Sequence, residues 1–266
     1  MDIVTQQDID ERYRFACELA KAGARRAFAF YQQRHRLDVE HKGGDLQDVV
    51  SIADRAVEAL IHQAITARFP QDGFLGEETG GGQTASCTWV VDPIDGTSAF
   101  LNGLHTWCVA IGVVIQGEPI IGVVCDPNHD EIFHACAGKG AFVNDTPLRV
   151  HGGQAVRDGL VGVGTSGRVA PGVFTPFIGN LLRAGGMFIR NGSGALMTSY
   201  VAAGRLIGYY EPHMNAWDSL PGIVMVREAG GVTNDFMHNQ GLMNGNAVLM
   251  ANPAVYRQLL ALIDQS

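Results

Sequence analysis

Between Trp89 and Phe100 the chain reads Trp-Val-Val-Asp-Pro-Ile-Asp-Gly-Thr-Ser-Ala-Phe, and no other stretch limits the fold as much. Trp89 to Val91 have the β-branched and aromatic character of a buried strand. That strand runs directly into Asp92 and Asp95. Pro93 fixes its own φ and holds the preceding residue extended, so Asp92 has little freedom to turn away. Two like charges at the carboxyl end of a buried strand repel unless something positive sits between them. A hard divalent cation such as magnesium removes the conflict, and the backbone carbonyl of Ile94 offers a further oxygen ligand. Gly96 lets the backbone approach a ligand closely, and a helix starting there aims free N–H groups at an anion. Thr97 adds a hydroxyl. Metal ligands beside anion-binding amides imply phosphate-ester chemistry.

The rest of the composition is consistent with such a site. The chain has 266 residues, enough for one large domain or two small ones with a substantial core. Hydrophobic residues make up 46% and charged residues 17%, a globular rather than a disordered balance. The net charge of -8, with no Lys/Arg run, argues against nucleic acid or an anionic membrane as partner. Anionic substrates then need local neutralisation by metal ions or helix ends. The N-terminal Met-Asp-Ile-Val-Thr-Gln-Gln-Asp is polar and acidic, unlike a signal peptide. The apolar region from Trp107 to Cys125 is interrupted by Gln116-Gly117-Glu118-Pro119 and does not fit a membrane span. Five cysteines without a CxxC pair predict reduced thiols and a cytoplasmic location, and Cys87, Cys108, Cys125 and Cys136 lack zinc-site spacing.

Periodicity predicts a helix over about 6–34, with Ile9, Tyr13, Ala16, Leu19 and Ala20 on one face. A loop with Gly43 and Gly44 follows. A second helix begins at Ser51, where Ser51 and Asp54 fit a capping box and Ala53, Val57, Leu60, Ile61, Ala64 and Ile65 repeat at helical spacing. Strands are expected at 89–91, 107–115, 120–125, 160–163, 187–189, 206–210 and 247–250, with a hairpin turn over 116–119. Helices are expected at 194–203 and 219–228, and a last one takes Asn252 as N-cap and Pro253 at its first position. Gly80-Gly81-Gly82 reads as a mobile surface loop. Layered sheets and helices fit this order better than regular βα units. The expected unit is a single domain with two lobes, an α+β lobe over about 1–150 and an α/β lobe over about 151–266.

Two further acidic segments accompany the first: Gly76-Glu77-Glu78 and Trp217-Asp218. Taken singly, each has a plain reading. Glu77 and Glu78 suit a solvated turn, Asp92 a turn cap, and Asp218 the N-cap of the helix starting near Ser219. Together the segments resemble the inositol monophosphatase family of magnesium-dependent, lithium-sensitive phosphatases. The likeness runs from Asp48-Val49-Val50-Ser51-Ile52-Ala53-Asp54 with Glu58, through Phe74 to Glu78, the Asp92-to-Thr97 segment and Tyr209-Tyr210-Glu211, to Trp217-Asp218 and Glu228-Ala229-Gly230-Gly231.

The resemblance implies a mixed α/β fold of the layered αβαβα type shared by inositol monophosphatases and fructose-1,6-bisphosphatases. It implies two or three Mg2+ ions held by Glu77, Asp92, the Ile94 carbonyl, Asp95 and Asp218. Glu77 and Thr97 would orient a metal-activated water, with Asp54 as a supporting carboxylate. Gly96 and Thr97 amides would bind phosphate, while Asp95, Gly192, Ser193, Gly194, Glu211 and Asp218 would complete the substrate pocket. The implied substrate is a small phosphorylated polyol, myo-inositol 1-phosphate first, and the implied assembly a homodimer. Two other readings stay open: a histidinol-phosphate phosphatase of the same fold, and a binding or regulatory protein with a vestigial site. Nucleotide bisphosphates fit less well, because no basic cluster is evident for a second phosphate. Ser98-Ala99-Phe100 and Ser219-Leu220-Pro221-Gly222 depart from the family's usual pattern. His213 reads more readily as a rim or structural residue than as pocket lining. Tyr209 and Tyr210 look like strand packing.

Overall fold

A computed structural model of the protein describes residues 4–36, 39–41, 49–81 and 85–265. Helices α1 (Gln6–Tyr31) and α2 (Ile52–Arg68) form the first layer, and the short hairpin β1 (Val39–His41) and β2 (Val49–Ser51) lies between them in sequence. An eight-stranded sheet follows. It comprises β3 (Gly73–Gly76), β4 (Gly80–Gly81), β5 (Cys87–Asp95), β6 (Cys108–Ile115), β7 (Glu118–Asp126), β8 (Glu131–Cys136), β9 (Ala141–Val143) and β10 (Thr146–Pro147). Its spatial order is β10-β9-β8-β7-β6-β5-β3-β4, with the turn of helix α3 (Thr97–Leu101) leaving the end of β5.

The remainder of the chain builds a five-stranded sheet from β11 (Leu160–Val163), β12 (Met187–Ile189), β13 (Gly208–Met214), β14 (Val232–Thr233) and β15 (Asn246–Ala251). Here the order is β12-β11-β13-β15-β14. Helices α5 (Gly194–Ala202) and α6 (Ala216–Glu228) fill the space between the sheets, whereas α4 (Pro171–Arg183) and α8 (Pro253–Asp264) cover the outer face of the smaller one. The short α7 (Gly241–Asn244) precedes β15.

Strand alternation assigns the layers. Trp89, Val91, Val109, Ile111, Ile121 and Val123 face Leu19, Val57 and Ile61 of the first two helices. Val90, Ala110 and Val124 face the other way, onto Leu196, Leu220 and Ile223. In the smaller sheet Tyr209, Val248 and Met250 join that same middle core, and Tyr210, Leu249 and Ala251 pack on Phe177, Leu181, Val255 and Leu259. The layering is αβαβα, as the resemblance implied.

The middle layer is unusually close to the large sheet. Gly112 and Gly122 are register partners on β6 and β7, and a Cβ on Gly122 would lie 2.3 Å from the Pro221 carbonyl oxygen. Pro221 therefore sits in α6 as a buried contact residue. Its ring removes the N–H that would have bonded the Trp217 carbonyl. One residue further along the same helix, a Cβ on Gly222 would meet Thr198 Oγ1 of α5 at 2.1 Å.

Several expectations change. Gly80 and Gly81 are a two-residue strand paired with β3, because Gly81 lies where any side chain would strike the Phe74 carbonyl at 2.2 Å. The β6–β7 turn is tighter than 116–119: Gln116 and Gly117 take positive φ and Glu118 and Pro119 already belong to β7. Helix α1 ends at Tyr31, followed by a 3-10 turn over Arg34–Arg36. Helix α6 starts at Ala216 with Asn215 at its N-cap, so Asp218 lies within the first turn and is not a cap. Helix α4 went unforeseen because its two prolines and two glycines read as breakers. Asn252 caps α8 as expected, accepting from the Ala254 and Val255 amides. Gly43, Gly44, Asp48, Gly82 and the side chain of Ser51, with its capping box, lie outside the described residues.

Candidate active site

Residues three apart on a regular strand point to opposite faces, so Asp92 and Asp95 should not meet. The register solves this. Asp92 pairs with Ala110 but Asp95 pairs with Cys108, which leaves one extra residue in β5 between them. The bulge falls at Pro93, which has no N–H for the ladder. It turns both carboxylates to one side, where one oxygen from each and one from Asp218 all lie within 4.8 Å of one another.

Glu77 arrives by parallel pairing. Gly76 of β3 is opposite Val91 of β5, and the Glu77 amide donates to the Val91 carbonyl at 3.1 Å, so Glu77 stands beside Asp92. The turn carrying it is held from beneath by Glu58 of α2, which is almost fully buried and accepts from the Glu78 and Thr79 amides at 2.9 Å each. Gly76 is required there, since a Cβ would lie 2.4 Å from Glu58 Oε2.

Each carboxylate has a distinct environment. Asp92 Oδ1 accepts from the Ile94 amide at 2.9 Å. Burial, then the charges of Glu77, Asp95 and Asp218, hold its pKa well above the ordinary carboxylate range. Asp95 Oδ2 sits at the start of α5, accepting from Ser193 Oγ at 2.5 Å and the Ala195 amide at 2.7 Å. Burial raises its pKa despite these bonds. Asp218 is partly exposed, and burial followed by the Asp95 and Glu77 charges raises it strongly. Thr97 Oγ1 lies 3.1 Å from Asp54 Oδ1 and 3.0 Å from the Ile94 carbonyl. Gly96 has φ of 93°, and a Cβ there would press on the Thr106 carbonyl at 2.8 Å.

A cavity of about 510 Å³ is lined by Glu77, Asp92, Ile94, Asp95, Gly96, Thr97, Gly192 and Asp218, together with residues foreseen by no sequence signal, notably Thr165, Ser166, Arg168 and Arg190. A smaller recess of about 170 Å³ shares Asp95, Gly192 and Asp218 and adds Ser193, Gly194 and Glu211. Asp54 lines neither and meets the cavity wall through Thr97. Glu211 accepts from the Tyr209 hydroxyl at 2.5 Å, and burial is the main cause that lifts its pKa to about 7. Gly164 makes room for it, since a Cβ would fall 2.0 Å from Glu211 Oε2. Tyr210 packs on Phe177, but Tyr209 does more than pack, because it orients Glu211. His213 is turned to the Asn244 carbonyl and lines neither cavity.

The oxygen-only donor set suits a hard cation. Buried carboxylates that raise one another's pKa are the electrostatic signature of a site that wants positive charge.

A model of the inositol monophosphatase family matches residues 8–266. The chain belongs to the inositol monophosphatase family. Among its relatives in that family, the inositol-1-monophosphatase of Mesorhizobium japonicum is 37% identical over 82% of this chain and 84% of its own. The Nus factor SuhB of Escherichia coli K12 is 34% identical over 87% of each. The crystal structure of the extragenic suppressor protein suhB from Bartonella henselae superposes with a TM-score of 0.86 at 32% identity, covering 92% of this chain and 95% of the other. The family is one of phosphatases that use divalent metal ions, and two members of the acidic cluster, Asp92 and Asp95, belong to the Asp-Pro-Ile-Asp-Gly-Thr segment. Among the described residues, no helix is long and apolar enough to cross a membrane.

Proposed function

We propose that the chain is a magnesium-dependent phosphomonoesterase acting on small polyol phosphates, with myo-inositol 1-phosphate foremost, and that it works as a single catalytic domain of two lobes. The reading is carried by one observation: Asp92, Asp95 and Asp218 converge beside Glu77 in a cavity that also contains the first residues of α3. Glu77, Asp92, the Ile94 carbonyl, Asp95 and Asp218 would hold the ions. Bound there, divalent cations supply Lewis-acid activation of water and neutralise charge on the departing oxygen.

The chain's own groups do the rest. Ser193 and the Ala195 amide engage Oδ2 of Asp95 and fix that carboxylate at the cavity wall. The Gly96 and Thr97 amides, at the start of α3, suit a phosphate oxygen. Thr97, set between Asp54 and the Ile94 carbonyl, orients the attacking water, and Glu77 accepts its proton. Glu211 in the inner recess accepts hydrogen bonds from substrate hydroxyls. The exposed apolar edge strand Met187-Phe188-Ile189 supports a homodimer through β12. Five free cysteines support the cytoplasm.

The relatives named Nus factor SuhB favour a second, compatible reading, in which the folded protein also serves a binding role. Phosphate release from myo-inositol 1-phosphate and histidinol phosphate, with magnesium and with chelator, tests the first. Magnesium-dependent release is expected. A well-folded protein inert towards a broad phosphomonoester panel would leave only the binding role.

A further inference from the structure

Helix α3 is five residues long, too short to hold its own direction in water. Its first residue, Thr97, and the preceding Gly96 line the cavity beside the carboxylates, so the angle of this one turn decides where their amides point. The turn's other end is gripped by the end of α1. Phe100 is fully buried, with ring centroids 5.4 Å from Tyr31 and 4.9 Å from Trp107, and those two rings lie 5.3 Å apart. Just past the helix, the Leu104 carbonyl accepts from the Tyr31 hydroxyl at 3.1 Å. Leu104 is itself tied to α3, its amide donating to the Ala99 carbonyl at 2.9 Å.

Arg34 completes the grip. Its guanidinium lies 4.8 Å from the centre of the Tyr31 ring, and Nη1 donates to the Tyr31 carbonyl at 3.1 Å. The same group is pressed on Gly103, where a Cβ would fall 2.6 Å from Nη2 and 2.9 Å from Cζ. Gly103 has φ of 76°, so glycine both makes the turn and admits the guanidinium. A planar cation suits this slot between an aromatic face and a peptide, which a lysine ammonium does not fill in the same way. Neither Tyr31 nor Arg34 lines the cavity.

We propose that Tyr31 and Arg34 are positioning residues for the phosphoryl group: they hold the far end of α3 and so set the approach of the Gly96 and Thr97 amides. What the turn binds rests on the phosphatase reading above. The support is separate from that of Glu58, which steadies the turn carrying Glu77 on the metal side. Its signature is therefore a loss of phosphate affinity with magnesium affinity intact.

Calorimetry of inorganic phosphate in saturating magnesium reads the turn without turnover. Tyr31→Phe keeps the ring and Arg34→Lys keeps the charge. Each should weaken phosphate binding about tenfold, short of the roughly 100-fold that a 1 Å misplacement can bring, and KM for a phosphomonoester should rise with it. Magnesium affinity, read from the rise in Tm with added ion, should not move. Tyr13→Phe is the matched control, since it removes a hydroxyl bond to His134 Nδ1 at 2.5 Å from the same helix, about 27 Å away. It should lower Tm as Tyr31→Phe does and leave phosphate binding unchanged. Unaltered phosphate affinity in both α1-end variants overturns the positioning role, and so does a loss matched by an equal loss for magnesium. Wild-type protein that fails to bind phosphate overturns it together with the phosphatase reading. Binding that weakens in the variants, without release from any phosphomonoester by the wild type, would sink that reading alone.

Discussion

The large sheet carries two Asp-Pro corners, and they solve the same problem in opposite ways. Strands β5 and β7 flank β6, and each carries at or near its end a buried aspartate before proline: Asp92-Pro93-Ile94-Asp95 and Asp126-Pro127-Asn128-His129. Asp92 is 2% exposed and Asp126 is fully enclosed, and burial is the first cause that raises the pKa of both. At the second corner the chain supplies its own answer. Asp126 accepts from the Asn128 amide at 2.9 Å and pairs with His129 at 2.8 Å. At the first corner the residue three along is another aspartate, and the next neighbours are Glu77 and Asp218. One corner is a finished turn; the other gathers carboxylates, where the proposed function places its cations.

The largest test of that contrast exchanges one oxygen for nitrogen at each corner. Asp92→Asn should lower kcat by about 100- to 1,000-fold, in line with loss of one preorganised electrostatic group, and should raise Tm in chelator by relieving repulsion. Asp126→Asn should do the reverse, keeping turnover and costing about 1–3 kcal/mol of stability from the broken buried bonds. Denaturant titration beside steady-state kinetics reads both. Equal kinetic damage at the two corners would erase the distinction.

A second test uses pH. Carboxyls whose folded pKa is raised take up protons that the unfolded chain has lost, so they stabilise below the unfolded pKa and lose that stabilisation as pH climbs through the folded value. Melting in chelator should therefore fall between pH 5 and 8. Magnesium should raise Tm most at the upper end, where the carboxylates are charged.

Smaller effects sharpen the picture. Glu58→Gln keeps the shape but weakens acceptance from the Glu78 and Thr79 amides, so apparent magnesium affinity should drop about 10- to 100-fold, the usual cost of an outer support. A magnesium titration of activity measures it. Glu211→Gln should flatten the rise of kcat/KM for polyol phosphates through pH 7 and alter substrate ranking more than maximal rate. A pH profile of both parameters checks this.

The layers and the acidic corner were legible because they rest on local chemistry. Alternation along 89–91 and 107–125, the helical spacing of Ala53, Val57 and Ile61, and a proline between two aspartates each speak through a few neighbouring residues. Asp95 and Ser193, by contrast, meet only through tertiary packing, and their joint place in the pocket came from family likeness. What escaped was set by backbone contact or by distant partners. Gly80 and Gly81 look like a loop until Phe74 lies against them. Arg168 and Arg190 form no run in sequence, so the absence of a basic cluster there did not carry over to the folded cavity. The bulge at Pro93 was not foreseen either, although the missing N–H was its visible cause.

The seat of α6 on β7 has a consequence for how such a catalyst can change. Gly122 and Pro221 touch backbone to backbone, where there is no rotamer to yield, and Asp218 rides on the same helix one turn earlier. Side chains lining the cleft can be exchanged one at a time to suit new substrates. The position of the acid that faces them is governed instead by an apolar glycine that never sees a ligand, and whose replacement would move a whole helix.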